Sequence, residues 1–320
     1  MPHARRIIFN LISFVPGADA LPPVQARLRK RSRGAEAAKS ARYCYSVWLR
    51  HLVMAAENGL ATDARIVAEL GPGASLGAGL AALLCGAEEY HAFDVVEHTE
   101  VGRNITVFDD LVALFRARAP IPDEKEFPLV CPRLKTYAFP HDLLTESRLS
   151  AALDETRIAR IRRSLDDVRS ASSMIQYRAP WTDATVVQAE SVDLVFSQAV
   201  LEHVDDLPTA YQAMGRWLRP GGLLSHTIDF RSHGWSRDWD GHWRLSDLQW
   251  ALVRGKDVWS INREPWSTHR RLLTGQGLRI VGLQHEKSNP THGRARLARR
   301  FGGVTEEDRG LSGIFCQALK

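Results

Sequence analysis

Glu69-Leu-Gly71-Pro-Gly73-Ala-Ser75-Leu-Gly77 is the stretch on which the fold turns. A short apolar strand, Arg65 to Leu70, runs into it, and an Ala/Leu-rich helix leaves it. Gly71 and Gly73 can take backbone angles closed to residues with a Cβ, so a ligand can lie against the main chain. The next helix then aims its N-terminal N–H groups at a carboxylate or phosphate. One glycine-rich turn is common, but this one has the context of a nucleoside site. A second strand, Tyr90 to Val95, ends on Asp94 about 20 residues further on, where ribose hydroxyls need an acid.

Two cofactors fit that context, a nicotinamide dinucleotide and S-adenosylmethionine. The dinucleotide fingerprint G-x-G-x-x-G wants a small residue where this chain has Leu76, which would obstruct close approach of helix and strand. Glu69 points the same way: a carboxylate there suits the ammonium of a methionine moiety and would repel a pyrophosphate.

The stretch, with Asp94, with Val192-Asp193-Leu-Val-Phe-Ser197-Gln198-Ala-Val-Leu-Glu202-His203-Val and with Leu218-Arg-Pro220-Gly221-Gly222-Leu, resembles the class I S-adenosylmethionine-dependent methyltransferases. The resemblance covers residues 60 to 97 and 174 to 230. It implies an α/β fold, a doubly wound Rossmann-like sheet of seven strands whose final pair is a hairpin. Ser197 and Gln198 end a buried strand, where ligands sit in open α/β sheets. The turn after the strand Met174 to Tyr177 borders adenine in the family, usually through an Asp. This chain has no acid until Asp183, so the Ala179 backbone is expected in that role, with Trp181 beside it or in the core. The expected cofactor contacts are Glu69, Gly71, Gly73, Ser75, Asp94, Ala179, Ser197 and Gln198.

The chain has 320 residues, a net charge of +5, and ordinary apolar and charged fractions of 44% and 25%. That is enough for one large α/β domain with an added cap. Cys44, Cys85, Cys131 and Cys316 form no C-x-x-C pair, so neither a zinc knuckle nor a disulfide framework is indicated and a reducing cytoplasm is expected. Arg5-Arg6, the run Ile7 to Val15 and Ala18-Asp-Ala20 imitate a secretion signal, but Asn10 and Ser13 interrupt it and a cytosolic cosubstrate argues against export. No stretch is apolar and long enough to span a bilayer.

Residues 1–60 are expected as an N-terminal helical extension and 61–320 as the cofactor-binding domain, with caps inserted at 98–173, after the second strand, and at 231–266, a Trp-rich segment after the fifth. The helix read over Ala35 to Asn58 is expected to cover the nucleoside pocket or the sheet edge. In the first insertion, Leu111 to Ala117 reads as helix, Ala119 to Phe139 as extended and Leu149 to Val168 as charged helix, either a substrate-side cap or a structural elaboration. Basic patches at residues 24 to 34 and at Arg294, Arg296, Arg299 and Arg300 read as solvated helix faces, since no aromatic residues interleave the first as nucleic-acid binding would want. Trp235, Trp239, Trp243, Trp250, Trp259 and Trp266 either wall an apolar or sugar-binding pocket or, the preferred reading, anchor a cap.

Methyl transfer from a sulfonium is an in-line displacement, so alignment is the main task, and a protonated oxygen or nitrogen acceptor also needs a base. His233 is the expected base with Asp229 orienting it, and His226 and His242 remain candidates; a structural role for any one of them is as good a reading. Glu202-His203 invites comparison with the Glu-x-x-Glu-His of some Mg²⁺-dependent O-methyltransferases. Ala199 replaces the first Glu, so no metal is expected. The expectation is a methyltransferase acting on a small-molecule, sugar-linked or natural-product acceptor. The rivals are a nucleic-acid methyltransferase, a Rossmann oxidoreductase using NAD, and a fold that holds the cosubstrate without turnover.

Overall fold

A computed structural model describes residues 40–97, 100–181, 183–255, 257 and 260–320. The signal-like N-terminus, the first basic patch and Trp259 lie outside these residues. Five parallel strands, β1 (Ile66–Leu70), β2 (Glu89–Phe93), β3 (Ile175–Arg178), β4 (Val192–Gln198) and β5 (Leu218–Asp229), are joined by β6 (Arg279–Lys287) and β7 (Leu311–Leu319). The order is β3-β2-β1-β4-β5-β7-β6, with β7 antiparallel to both neighbours, so the final pair is a hairpin at one edge. Chain order reverses between β1 and β4, and the crevice there opens at the carboxyl ends of both strands. Arg219 to Gly222 form an irregularity within β5, because Val192 pairs with Leu218 while Leu194 pairs with Leu223.

Side chains alternate across a strand, and here both faces are covered. Val67, Leu194, Phe196 and Leu223 join one core beneath α1 (Ala41–Glu57), α2 (Gly77–Leu83) and α3 (Val101–Arg116). Ala68, Leu70, Val195, Leu224 and Ile228 join the other, beneath α6 (Leu207–Trp217) and α8 (Trp266–Gly275). Ser40 caps α1 by accepting from Tyr43 N, and nearly every residue from Ala41 to Ala55 is buried, so α1 is a core element.

The first insertion divides between the two ends of the sheet. Its α4 (Glu146–Ala152) and α5 (Glu155–Asp166) are tied to the amino ends of the strands: Arg148 donates to the carbonyls of Cys85 and Thr62, and Arg157 to those of Leu83 and Ala87. The extended segment 119–139 instead crosses over β5 and β6. Thr227 Oγ1 donates to Cys131 O at 3.2 Å, and the Gln284 side chain bonds both backbone groups of Arg133. The buried Arg50 of α1 fastens this segment, donating to the carbonyls of Pro122, Val130 and Pro132.

The segment after β5 builds two small cores of its own. Trp235 and Trp250 pack with Val253 and Ile261, and Trp243 packs with Phe301 and Val304. Arg263 joins the two, its guanidinium 4.9 Å from the Trp250 ring and 5.0 Å from that of Phe301. Among the described residues no helix is long and apolar enough to cross a membrane.

Candidate active site

Residue parity decides what reaches the crevice. Glu69, Gln198 and Asp229 share the α1 face of the sheet with Val67, Phe196 and Leu223, and all three lie at carboxyl ends of strands. A cavity of about 190 Å³ opens there, lined by Glu69, the turn Gly71 to Ser75, Gln198, and Tyr43, Cys44 and Val47 of α1. Its size suits the amino-acid end of a nucleoside cofactor, since sites for whole ligands run to roughly 300 Å³ or more.

The turn is shaped by its glycines. Gly71 and Gly73 both sit at positive φ, 64° and 65°. A Cβ on Gly71 would lie 2.5 Å from Val200 Cγ1, whereas one on Gly73 would meet nothing within 4 Å, leaving the main chain open to a ligand. Behind the turn, Glu69 is buried and accepts from the Tyr90 hydroxyl at 2.5 Å. Burial pushes its carboxyl up to about 8 although the Tyr90 bond opposes the shift. Asp94 follows β2 and accepts from Gly73 N at 3.1 Å and Val95 N at 2.8 Å, which locks the acid to the glycine turn. Ala179 is half-buried beside it, and Trp181 N donates to Asp94 O at 3.1 Å. The Trp181 ring packs on Phe93 and Trp217, which makes it a core residue at its inner edge.

Not every expected residue reaches the cavity. Ser197 has the opposite parity to Gln198, is fully buried and bonds His226 Nδ1 at 2.7 Å; both side chains belong to the face under α6 and α8. Strand alternation in Phe196-Ser197-Gln198 carried that signal. His226 is therefore sealed within the sheet, its titration driven well below the ordinary range by burial. Ser75 lines the cavity, and its hydroxyl accepts from Gly77 N. Gln198 is held from α1: His51 Nε2 lies 3.3 Å from Gln198 Oε1 while His51 Nδ1 lies 2.7 Å from Ser225 Oγ. Tyr43, Cys44, His51 and Tyr90 were missed by sequence reasoning, which gave α1 only the task of a cover.

Beyond Gln198 a second group gathers where β4 and β5 end. His233 Nε2 lies 3.3 Å from Asp229 Oδ2, both side chains about one quarter exposed. Burial alone would raise the Asp229 carboxyl, but His233 and Arg231 outweigh it and hold it low. His203 faces His233 with ring centroids 5.0 Å apart, and Glu202 beside it is 3% exposed. His242 is buried and pushed down to about 3, chiefly by desolvation. Tyr43 stands between the two groups: burial raises its phenol first, followed by the charges of Cys44, Glu69 and Glu202. Of the second basic patch, Arg294 is engaged by Glu306 and two carbonyls, and Arg300 by Asp247 and Glu264.

Residues 151–225 match the family model described as a methyltransferase domain. No curated protein matches the sequence. Similar solved structures include phosphoethanolamine N-methyltransferase 2 of Haemonchus contortus, solved with S-adenosyl-L-methionine. It is 13% identical with a TM-score of 0.40, over 88% of this chain and 57% of that one, so this chain spans little more than half its length. An S-adenosylmethionine-dependent methyltransferase of Mesorhizobium loti is 16% identical with a TM-score of 0.41, over 86% and 98% of the two chains. One from Methanosarcina mazei is 13% identical with a TM-score of 0.39, over 83% and 96%. The methyltransferase-domain match takes in β3, β4 and the first part of β5, on the same sheet as the open glycine cradle and the buried Glu69.

Proposed function

We propose that the chain methylates an oxygen or nitrogen atom of a small molecule, with Glu69, Gly71, Gly73, Ser75, Asp94, Ala179 and Gln198 forming the cofactor site. Glu69 would take the ammonium group, Asp94 the ribose hydroxyls, and the open main chain at Gly73 the face of the ligand. S-adenosylmethionine, bound there, supplies an electrophilic methyl group. The residues at the ends of β4 and β5 would align the acceptor and take its proton.

The observation that carries the proton-accepting role is the His233–Asp229 pair, half-buried at 3.3 Å on the same sheet face as Glu69 and Gln198. A carboxylate on one ring nitrogen orients the imidazole, leaving the other nitrogen to meet the acceptor. His226 and His242 fit the role less well, because both are buried away from solvent. A small acceptor is favoured by the enclosure, since Tyr43, Cys44 and Val47 of α1 close the cavity over the glycine turn and Gln198. The N-terminal helix and the two insertions would serve as substrate-side cover, except for α4 and α5 at the far end.

The test is cofactor calorimetry beside a mass-spectrometric screen of small amine, hydroxyl and carboxyl acceptors. Expected is binding of S-adenosylmethionine and its demethylated product, with His233→Asn lowering kcat about 100-fold or more while leaving cofactor affinity within twofold. Unchanged turnover in that variant would remove His233 from the role, and tighter binding of NAD would remove the reading itself.

A further inference from the structure

Glu202 is a buried carboxylate with neither oxygen in a hydrogen bond of ordinary geometry. The backbone N–H groups of Glu202 and Asp229 only approach it, and such burial of an acid is costly unless something else satisfies it. What faces it are two imidazoles: one ligand atom from each of Glu202, His203 and His233 lies within 4.8 Å of the others. We infer that these three side chains form a binding site for a divalent transition-metal cation at the acceptor end of the crevice.

The supporting shell is that of a metal site. Asp229 engages His233 at 3.3 Å, and His203 Nδ1 lies 3.4 Å from Ser260 O, so each imidazole has an orienting partner. The turn Leu201–His203 that carries two of the ligands is pinned by Asn262, whose side-chain amide donates to the carbonyls of Leu201 and Val204 at 2.7 and 2.8 Å. His233 is held at φ 47°, a left-handed conformation unusual for a residue with a Cβ, which the Asp229 contact and the following Gly234 accommodate. Two nitrogens and one carboxylate suit Mn²⁺, Co²⁺ or Zn²⁺ better than Mg²⁺, which prefers oxygen throughout. Three protein ligands leave coordination positions open for an acceptor oxygen.

For its catalytic use the site rests on the acceptor lying where the proposed function puts it; cation binding does not. With the cation present, His233 would be a ligand, and the metal would lower the pKa of a bound acceptor hydroxyl so that its proton passes to solvent before its oxygen takes the methyl group and the sulfonium leaves as the neutral thioether. The full chain, dialysed against chelator, is titrated with Co²⁺ by visible absorption and with Mn²⁺ and Zn²⁺ by calorimetry. Expected is one equivalent bound at micromolar Kd or tighter, weakened at least tenfold in Glu202→Gln and in His203→Ala, with cofactor affinity unchanged. Should either variant fold poorly, His203→Asn with a metal-dependent thermal shift gives the same reading. No binding by any of the three cations, or equal binding in the variants, overturns the inference. Turnover that survives chelation in a chain that binds no cation removes the metal and leaves the proposed function standing, whereas tight cation binding with no turnover on any acceptor does the reverse.

Discussion

The Tyr90 hydroxyl donates to the Glu69 carboxylate at 2.5 Å, the one side-chain bond that opposes the desolvation of the acid at the head of the glycine turn. The balance leaves Glu69 titrating at about 8. An ammonium partner needs the carboxylate form, so cofactor affinity is expected to rise between pH 6 and 8 with release of a proton. Calorimetry in buffers of different ionisation enthalpy measures that release directly. Tyr90→Phe removes the donor, moves the titration further up and weakens binding at pH 7 by roughly tenfold. Flat affinity over that range would dissociate Glu69 from the ammonium.

Gly79 and Gly73 make opposite demands. On α2 an alanine at 79 would ordinarily gain about 1 kcal/mol of helix propensity. Its Cβ would, however, lie 2.0 Å from Cζ of the Tyr90 ring, so the ring that supports Glu69 must move. Gly79→Ala is expected to cost about 1–3 kcal/mol by urea unfolding. Gly73→Ala meets no neighbour, and pays only the strain of φ 65°, about 1–2 kcal/mol. It should keep the fold and lose cofactor affinity at least tenfold, because the methyl group occupies the open cradle.

Acid should unfold the chain early. Burial depresses His51 and His91 to about 4 and His269 to about 3, so in this range the folded state binds fewer protons than the unfolded one. Their contribution is complete above the unfolded value of about 6.5 and is lost as pH falls toward 4. Glu69 has the reverse sign: its contribution is complete below about 4.5 and fades as pH rises to about 8. His226 and His242 are depressed in the same way and Glu202 is raised like Glu69, so five imidazoles against two carboxyls make Tm at pH 4.5 lower than at pH 7 by on the order of 10 °C. Scanning calorimetry across pH checks it, and His51→Gln should shrink the difference.

The nucleoside half was legible because its signals are local: an apolar strand, glycines where φ is positive, and an acid at the end of the next strand. Asp94 bonding Gly73 N is that pattern closing on itself. Ser197 was read as a contact from its position along the strand, without the alternation that turns it toward His226. The Glu202, His203 and His233 cluster joins the turns after β4 and β5, with α6 and β5 between them in the chain, and no spacing within one element announces it. Least legible was segment 119–139. It carries no period, and its path is set by carbonyls that reach a single arginine on α1.

That arginine supplies the remaining prediction. Arg50 is fully buried, donates to three carbonyls of the insertion and to Ser46 Oγ, and has Glu124 3.5 Å away. Burial lowers its titration, but a guanidinium stays charged, so the desolvation is offset only while every donor is used. Arg50→Met keeps the volume and strands Pro122 O, Val130 O and Pro132 O without their donor, a loss of about 3 kcal/mol or more. Arg50→Lys keeps the charge but loses the planar fork, and should fall between Met and the native residue. Hydrogen exchange would show protection lost first over 119–139, while the strands β1 and β4 stay protected. Uniform loss across the sheet would mean that Arg50 serves the core as a whole and not the placement of the insertion.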